Sequence, residues 1–486
     1  MEYEKLFIGG DLSGIQRFLY NISSKKAAVS LKGRSFYLQQ YMENACSKLK
    51  EVALNAGSGS ADVIYCSGGK FYMITDFSPK ITEAIEECSR TIKKDIWKKH
   101  YGQLGINICY TPFNEHPNGQ VDTLGQSNQM PGLLWSIVNK DFTKQKNQKF
   151  KEFISCDYES FFNPIAIGGK PKVCSITGIE SPECVYIKLD EENEEESFVL
   201  PSVKEQIQLG EELRNKEHFK SFEDYAGDSY LGVLRMDVDG LGQRFIKGFN
   251  SIKEYRIFSG RLVDFFGDGI KKMQREAEYR DYLNIIYSGG DDLFIVGRWD
   301  KTIDFAEYIH KETKRCFAHD NITISGGVAI VKPKFPISKA AEMAGEAEEA
   351  AKNFRSGEKN AFHFLGKTVS WNEEFDYVKK YKNKFIQLIT QSNMSKGILH
   401  KLMLYASIAD ANKRRVDEGD AENFSYVWHM SYYLTRFMDR YDKNEEVCSF
   451  CRDLRNHELL GNSGRNLELI ALAARWAELL LKDDIN

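Results

Sequence analysis

Ile285-Ile286-Tyr287-Ser288-Gly289-Gly290-Asp291-Asp292-Leu293-Phe294-Ile295-Val296 is an apolar run, a Gly-Gly turn and a second apolar run, the pattern of a β-hairpin. About 220 residues upstream the same punctuation recurs as Val63-Ile64-Tyr65-Cys66-Ser67-Gly68-Gly69-Lys70-Phe71-Tyr72-Met73-Ile74. A second pair of segments repeats in the same order. Phe7-Ile8-Gly9-Gly10-Asp11-Leu12-Ser13-Gly14-Ile15-Gln16-Arg17-Phe18 is answered by Leu234-Arg235-Met236-Asp237-Val238-Asp239-Gly240-Leu241-Gly242-Gln243-Arg244-Phe245, which places Gly10 opposite Asp237. Each copy runs from a short apolar strand through Asp and Gly into a helix. Amphipathic stretches at 79–97, 251–277 and 301–318, with strands near 105–111 and 322–331, complete a β-α-β-β-α-β order in each half, the ferredoxin-like order.

The fold class is therefore α+β, with a first ferredoxin-like domain over 1–115 and a second over 226–368. Residues 116–225 are polar, contain the acidic run Glu191-Glu192-Asn193-Glu194-Glu195-Glu196 and lack a sustained period, which predicts an irregular inserted domain. From 369 to 486 apolar residues fall at helical spacing, among them Val427, Met430, Leu434, Phe437 and Met438, and a C-terminal helical bundle is expected. At 486 residues, 42% hydrophobic and with a net charge of -4, the chain excludes a surface that binds polyanions as a whole. No apolar run is long enough for a membrane span, no signal-peptide pattern opens the chain, and the ten cysteines are scattered; a reduced, cytoplasmic protein is expected.

The chemistry lies in the carboxylates. Phosphoryl transfer needs charge neutralisation and in-line positioning, and divalent cations held by short Asp side chains supply both. Asp237 ends the first strand of the second half, while Asp291 and Asp292 sit on the neighbouring hairpin turn. Three carboxylates at one sheet edge repel one another and favour a cation. Gly289 and Gly290 leave room for a triphosphate against backbone N–H groups. In the first half Lys70 takes a ligand's place, so that half is expected to hold nucleotide without a catalytic metal.

At these residues the chain resembles the large subunit of type III CRISPR effector complexes, the Csm and Cmr polymerase-cyclase family. Gly10-Asp11-Leu12-Ser13-Gly14-Ile15-Gln16 with Lys32-Gly33-Arg34-Ser35 resembles that family's first palm domain, and Met236-Asp237-Val238-Asp239-Gly240 with Ser288-Gly289-Gly290-Asp291-Asp292 its second. Ile324-Ser325-Gly326-Gly327 and Lys352 also resemble diguanylate cyclases. The resemblance implies that Asp237, Asp291 and Asp292, helped by the Val238 carbonyl, bind two Mg²⁺ or Mn²⁺ ions, and that Lys352 reaches a phosphate. It implies a first-palm pocket lined by Ser13, Gly14, Ser67, Gly68 and Gly69, facing Ser288, Gly289 and Gly290. It further implies ATP as substrate, cyclic oligoadenylates as products, and other effector subunits, guide RNA and target RNA as partners.

Two departures from that family shape the expectations. The N-terminal His-Asp nuclease domain is missing from its usual place, and the one His-Asp pair, His319-Asp320, reads as a turn, so no DNase activity is expected. Between the palms stand Cys174 and Cys184 without paired Cys-x-x-Cys partners; even with Cys156 the ligand count argues against structural zinc. Cys448 and Cys451 read as buried small hydrophobes, and Trp428 and Trp476 as core or subunit interface. The alternatives are AMP transfer to another small acceptor, a silent scaffold subunit, and a stand-alone diguanylate-type cyclase, which the internal duplication disfavours.

Overall fold

The computed structural model describes residues 3–22, 26–117, 119–128, 130–149, 151–156, 158, 171–188, 197–417, 425–459 and 461–483. Its first half runs β1 (Lys5–Ser13), α1 (Ile15–Tyr20), α2 (Ala27–Asn55), β2 (Ala61–Ser67), β3 (Lys70–Asp76), α3 (Pro79–Lys99) and β4 (Gly105–Glu115). The short β5 (Val121–Thr123) and β6 (Gln126–Asn128) extend an antiparallel sheet of order β2-β3-β1-β4-β5-β6. Helices α4 (Gly132–Asn147) and α5 (Lys151–Cys156) follow, then two two-stranded ribbons, β7 (Lys172–Val173) with β8 (Glu180–Ser181) and β9 (Val185–Ile187) with β10 (Ser197–Val199). Helices α6 (Pro201–Glu217) and α7 (Phe222–Ala226) lead to the second half.

That half contains β11 (Leu231–Val238), α8 (Leu241–Lys247), α9 (Ile252–Asp264), a π-helical turn over 265–269, α10 (Ile270–Gln274), β12 (Leu283–Gly289), β13 (Asp292–Arg298), α11 (Trp299–Cys316), β14 (Ile324–Val331), α12 (Ile337–Lys352), β15 (Ala361–Phe364) and β16 (Lys367–Ser370). Its sheet order, β12-β13-β11-β14-β15-β16, repeats that of the first half strand for strand across the inner four. Both inner sets follow the ferredoxin-like order. The likeness extends to irregularities: β2–β3 slips register between Val63 and Tyr65, and β12–β13 between Ile285 and Tyr287. A bulge at the same place in both hairpins turns Tyr65 and Tyr287 alike and increases local twist.

Helix α13 (Glu374–Gln391), α14 (Gly397–Asp417), α15 (Ser425–Asp439), α16 (Glu445–Asp453) and α17 (Arg465–Asp483) form the C-terminal bundle. Its core includes Trp476, Met430 and Cys451, and Cys448 is buried with its thiol donating to the Tyr441 carbonyl at 3.1 Å. Trp428, by contrast, is 76% exposed, so it is not core. The basic run along α13 is spent internally: Lys379 pairs with Glu307 at 2.6 Å, Lys384 with Glu446 at 2.8 Å, and Lys382 lies over the Trp476 ring.

Residues 116–225 do not form one separate unit. Leu134, Trp135, Val138 and Phe142 of α4 are buried, and α4 packs on β1 and β4 of the first sheet. Helix α6 lies along α2 and buries Ser202, Gln206 and Gly210 together with Val203 and Ile207, a mixed face whose periodicity is weak in the sequence. The crossing is close: a methyl on Gly33 would overlap the Gln206 carbonyl oxygen, and one on Gly210 the Val29 carbonyl oxygen. Next to it, buried Arg34 donates to the Asn21 carbonyl at 2.7 Å and to Gln206 Oε1 at 3.1 Å. The acidic run at 191–196 lies outside the described residues. Gly33→Leu is expected to lower unfolding stability by about 1–3 kcal/mol through overpacking, read as a reduced urea midpoint at an unchanged slope.

Candidate functional site

Two Gly-Gly turns meet. The turn between β12 and β13 abuts the turn between β2 and β3, with the Gly290 N–H donating to Ser67 Oγ at 2.8 Å. Gly290 (φ 70°) and Gly68 (φ 60°) both lie in the left-handed region that favours glycine. Space demands it as well: a methyl on Gly68 would sit 3.1 Å from the Gly289 oxygen, and one on Gly290 2.6 Å from the Tyr65 hydroxyl. Helix α2 clamps the pair, since Lys32 Nζ donates to the Ile285 carbonyl at 2.6 Å while pairing with Glu217 at 2.9 Å. Trp135 stacks on Tyr255 with ring centroids 3.9 Å apart, so one aromatic core joins the halves.

Ser67, Gly68, Gly69, Ser288 and Gly289 line one narrow cleft, floored by Ile15, Leu38 and Met42 and edged by Gln39 and Glu43. Ser13 and Gly14 are not part of it. Ser13 Oγ donates to the Gly105 carbonyl at 3.0 Å, and Gly14 faces the Gln103 carbonyl. The end of β1 pairs with β4 there, which turns both residues away from the turn–turn contact.

On the other side of the Gly290 turn the carboxylates stand where the sheet puts them. Asp237 and Asp292 are direct partners across β11 and β13, and the Val238 N–H donates to the Asp291 carbonyl at 3.0 Å. Their side chains belong to an alternating row of charge. Asp237 Oδ2 meets Lys352 Nζ at 2.7 Å, Lys352 meets Glu348 at 2.6 Å, Glu348 meets Arg235 Nε at 3.1 Å, and Arg235 approaches Asp292 at 4.0 Å. Glu348 and Lys352 stand one turn apart on α12, so the helix presents both to the sheet. Asp239, in contrast, is a structural residue: its Oδ2 accepts from Thr323 Oγ1 at 2.8 Å, Ser325 Oγ at 3.0 Å and the Asn360 N–H at 3.0 Å.

Burial, then repulsion from Asp291, raises the Asp237 carboxyl to about 7 against the pull of Lys352. Burial raises Asp292 to about 8, with Arg235 opposing and Glu348, Asp237 and Asp291 adding. The Tyr287 hydroxyl is pushed well above its ordinary value by burial and by Asp292 and Asp291, and Tyr65 likewise by burial and Asp291. Among the described residues no three His, Cys, Asp or Glu side chains close round a common point. The donor set nevertheless suits a hard divalent cation. It offers three carboxylates and the Val238 carbonyl at one strand edge, two of the carboxylates energetically short of positive charge, and a buried Asp292 Oδ1 with no hydrogen-bond partner among the described residues.

Arg235, Glu348 and Ser67's role across the interface were not foreseen from the sequence. Neither was Asp11. In the structure Asp11 pairs with Lys70 as Asp237 pairs with Asp292, and the Leu12 N–H donates to the Gly69 carbonyl at 2.8 Å as Val238 does to Asp291. The first strands therefore correspond one position further along than the sequence comparison sets them: Asp11, not Gly10, is the counterpart of Asp237. The first half thus keeps one carboxylate of the set.

Elsewhere, Asp320 pairs with Arg261 at 2.9 Å and Arg244 at 3.6 Å within a turn. Cys174 and Cys184 are buried, and Cys174 Sγ accepts from the Thr177 N–H at 3.4 Å; the Cys156 side chain lies outside the described residues.

The geometry defines a tandem palm protein in which one palm carries an acidic set at its strand edge and the other faces it through a glycine turn. Comparisons with known proteins agree. Residues 230–363 match the second palm domain of Cas10/Cmr2, and residues 4–164 match domain B of the Csm1 subunit. Taken together, these two matches make the chain similar to the Cas10/Csm1 large subunits of type III-A CRISPR systems. It is 27% identical over 464 residues to the Enterococcus italicus CRISPR system single-strand-specific deoxyribonuclease Cas10/Csm1, covering 82% of this chain and 59% of that protein. To the Mycobacterium tuberculosis protein of the same description it is 25% identical over 486 residues, covering 83% and 60%. The chain thus spans about three fifths of the length of these curated relatives. Among solved structures, the apo Csm1-Csm4 cassette superposes with a TM-score of 0.67 at 18% identity, over 98% of this chain and 70% of that one. The Csm1-Csm4 cassette in complex with cA4 gives 0.65 at 18% identity, over 99% and 69%.

A carboxyl whose pKa rises on folding keeps its proton in the folded chain over a range where the unfolded chain has released it. For Asp237 and Asp292 that range runs from the ordinary 3.8 to about 7 and about 8. Their contribution to stability is therefore present at low pH and is lost as pH rises through this window. Without divalent metal the melting temperature should fall from pH 5 to pH 8 relative to an Asp237→Asn, Asp292→Asn variant, and Mg²⁺ should raise it more at pH 8 than at pH 5. Equal Mg²⁺ shifts at both values would count against a site at these carboxylates.

Proposed function

We propose that this chain is the catalytic large subunit of an RNA-guided type III CRISPR complex. On binding target RNA it joins ATP molecules, the 3′-hydroxyl of one attacking the α-phosphate of the next with release of pyrophosphate, to give cyclic oligoadenylates. The observation that supports this reading is the contact of the two Gly-Gly turns: it brings the two palm edges face to face, only one of them bearing the acidic set. Related cassettes have been solved with ATP, with cA3 and with cA4, in keeping with such a substrate and product.

In this mechanism Asp237, Asp291, Asp292 and the Val238 carbonyl would hold two Mg²⁺ or Mn²⁺ ions, which would supply charge neutralisation for the transferred phosphoryl group. Lys352, paired with Asp237 and Glu348 in the free chain, is the cation within reach of this edge that would bind a substrate phosphate. Burial works against the lysine's charge, but Asp237 and Glu348 raise its pKa above the ordinary lysine value, so it is cationic in this pairing. Arg235 and Glu348 hold Asp292 and Lys352 in position. Ser67, Gly68 and Gly69 present the acceptor nucleotide from the opposite palm, while Ser13 and Gly14 act at most through the β1–β4 frame.

Target RNA, paired to the guide RNA among the partner subunits, supplies the trigger, and the free cysteines among the described residues fit a reducing cytoplasm. No helix among the described residues is long and apolar enough to cross a membrane. The deoxyribonuclease activity in the relatives' name is not carried over to this chain, since Asp320 of its one His-Asp pair is engaged by two arginines.

The test is mass spectrometry of the products that the assembled complex makes from ATP and Mg²⁺ with target RNA. Asp291→Ala with Asp292→Ala should reduce product by at least about a thousandfold while assembly is unchanged. An AMP adduct of another small molecule would redirect the acceptor, and absence of any new nucleotide from the wild-type complex would leave a scaffold. Lys352→Met should lower the rate by roughly a hundredfold or more with an unaltered melting temperature in the presence of Mg²⁺.

A further inference from the structure

The two palms correspond residue for residue at their sheet edges, and the differences between them form a pattern. Asp11 stands where Asp237 does, Gly69 where Asp291 does, and Lys70 where Asp292 does. The helices that cover these edges correspond too. Helix α12 lays Glu348 against Arg235 and, one turn later, Lys352 against Asp237. Helix α4 lays Phe142 against Gly9 and, one turn later, Lys146 against Asp11, with Lys146 Nζ 2.5 Å from Asp11 Oδ2. Gly9 precedes Asp11 by the same two positions as Arg235 precedes Asp237, so Lys146 is the counterpart of Lys352. Neither half of that match is evident in the sequence, since α4 and α12 share no motif.

Charge follows from the substitutions. The second palm sets three carboxylates, Asp237, Asp291 and Asp292, beside Lys352, an arrangement that repels a triphosphate until divalent cations are added. The first palm sets one carboxylate, Asp11, beside two lysines, Lys70 and Lys146. Asp11 has 4% of its side chain exposed and Lys146 has 45%, so the carboxylate anchors the lysine from beneath while the ammonium stays open to solvent. Lys70 is exposed at the strand edge. An ammonium pair of this kind attracts phosphate oxygens as point charges, with no cation to recruit first.

We infer that the first palm grips the phosphates of its own nucleotide directly, through Lys70 and Lys146, and without a divalent metal. The inference rests on the proposed two-nucleotide reading and adds to it an asymmetry: one ATP is bound as its metal complex, while the other is held by lysines alone.

Calorimetric titration of the full chain with ATP, in EDTA and then in Mg²⁺, tests this. The wild type should bind ATP at one site in EDTA and at a second site only when Mg²⁺ is added. Lys70→Gln and Lys146→Gln should each weaken the EDTA-resistant site by about tenfold or more, as loss of a charged hydrogen bond to phosphate does, and leave the Mg²⁺-dependent site in place. Asp292→Asn should do the reverse. Lys146→Arg should retain EDTA-resistant binding; Lys70, which forms no ion pair among the described residues, separates a phosphate contact from a merely structural partner of Asp11, and its Gln variant guards against misfolding of the Lys146 variant. Absence of any binding in EDTA, or EDTA-resistant binding equal in the wild type and both glutamine variants, overturns the inference. If the complex makes oligoadenylate yet shows no EDTA-resistant site, the inference alone fails. If the site is present but no nucleotide product forms, the inference stands and the catalytic reading fails.

Discussion

The Gly290 N–H to Ser67 Oγ hydrogen bond and the glycine contact around it set the geometry of everything else. Glycine backbone meets glycine backbone there, with only the Ser67 and Tyr65 hydroxyls beside it, so the two sheets approach closely at this point. Any residue larger than glycine at Gly68 or Gly290 forces the turns apart, and with them the two half-sites. The surrounding aromatic core, from Trp135 and Tyr255 to Phe245, makes that spacing rigid. Specificity of position is thus bought with packing rather than with a flexible clamp.

Electrostatics then divides labour between the halves. In the second palm the row Asp237, Lys352, Glu348, Arg235, Asp292 alternates in sign, so each buried charge has an opposite neighbour while no cation is bound. The row is a placeholder: it keeps the carboxylates soluble in a low-dielectric edge without satisfying Asp292 Oδ1. Its members lie on three elements, β11, β13 and α12, and each is anchored by its own strand or helix.

Much of this was legible in the residues, and the reasons for the rest are physical. The hairpins and the ferredoxin-like order follow from apolar runs broken by Gly-Gly, a local signal that survives without alignment. The acidic set on β11 and β13 was visible because its members flank those turns. The one-position slip in the first strand was not, because Gly9-Gly10-Asp11 accommodates two pairings equally well and only the ladder to Lys70 decides between them. Arg235 and Glu348 are separated by more than a hundred residues and meet through an alanine-rich helix whose close approach sequence does not announce. Helix α6 escaped because its buried face mixes Ser202, Gln206 and Gly210 with only Val203 and Ile207, so small and polar residues that allow close approach to α2 break up the apolar period. Ser13 and Gly14 were drawn into the pocket by adjacency in sequence, whereas pairing with β4 turns them away.

The substitution of Lys70 for an aspartate carries a consequence for how such a protein can change. In a site built from two identical subunits, every mutation arrives twice, and a lysine at this turn would abolish both acidic sets at once. Joining the halves in one chain removes that constraint. Each half is free to vary by itself, so two edges of one architecture come to carry unlike charge, three carboxylates on one and a carboxylate with two lysines on the other.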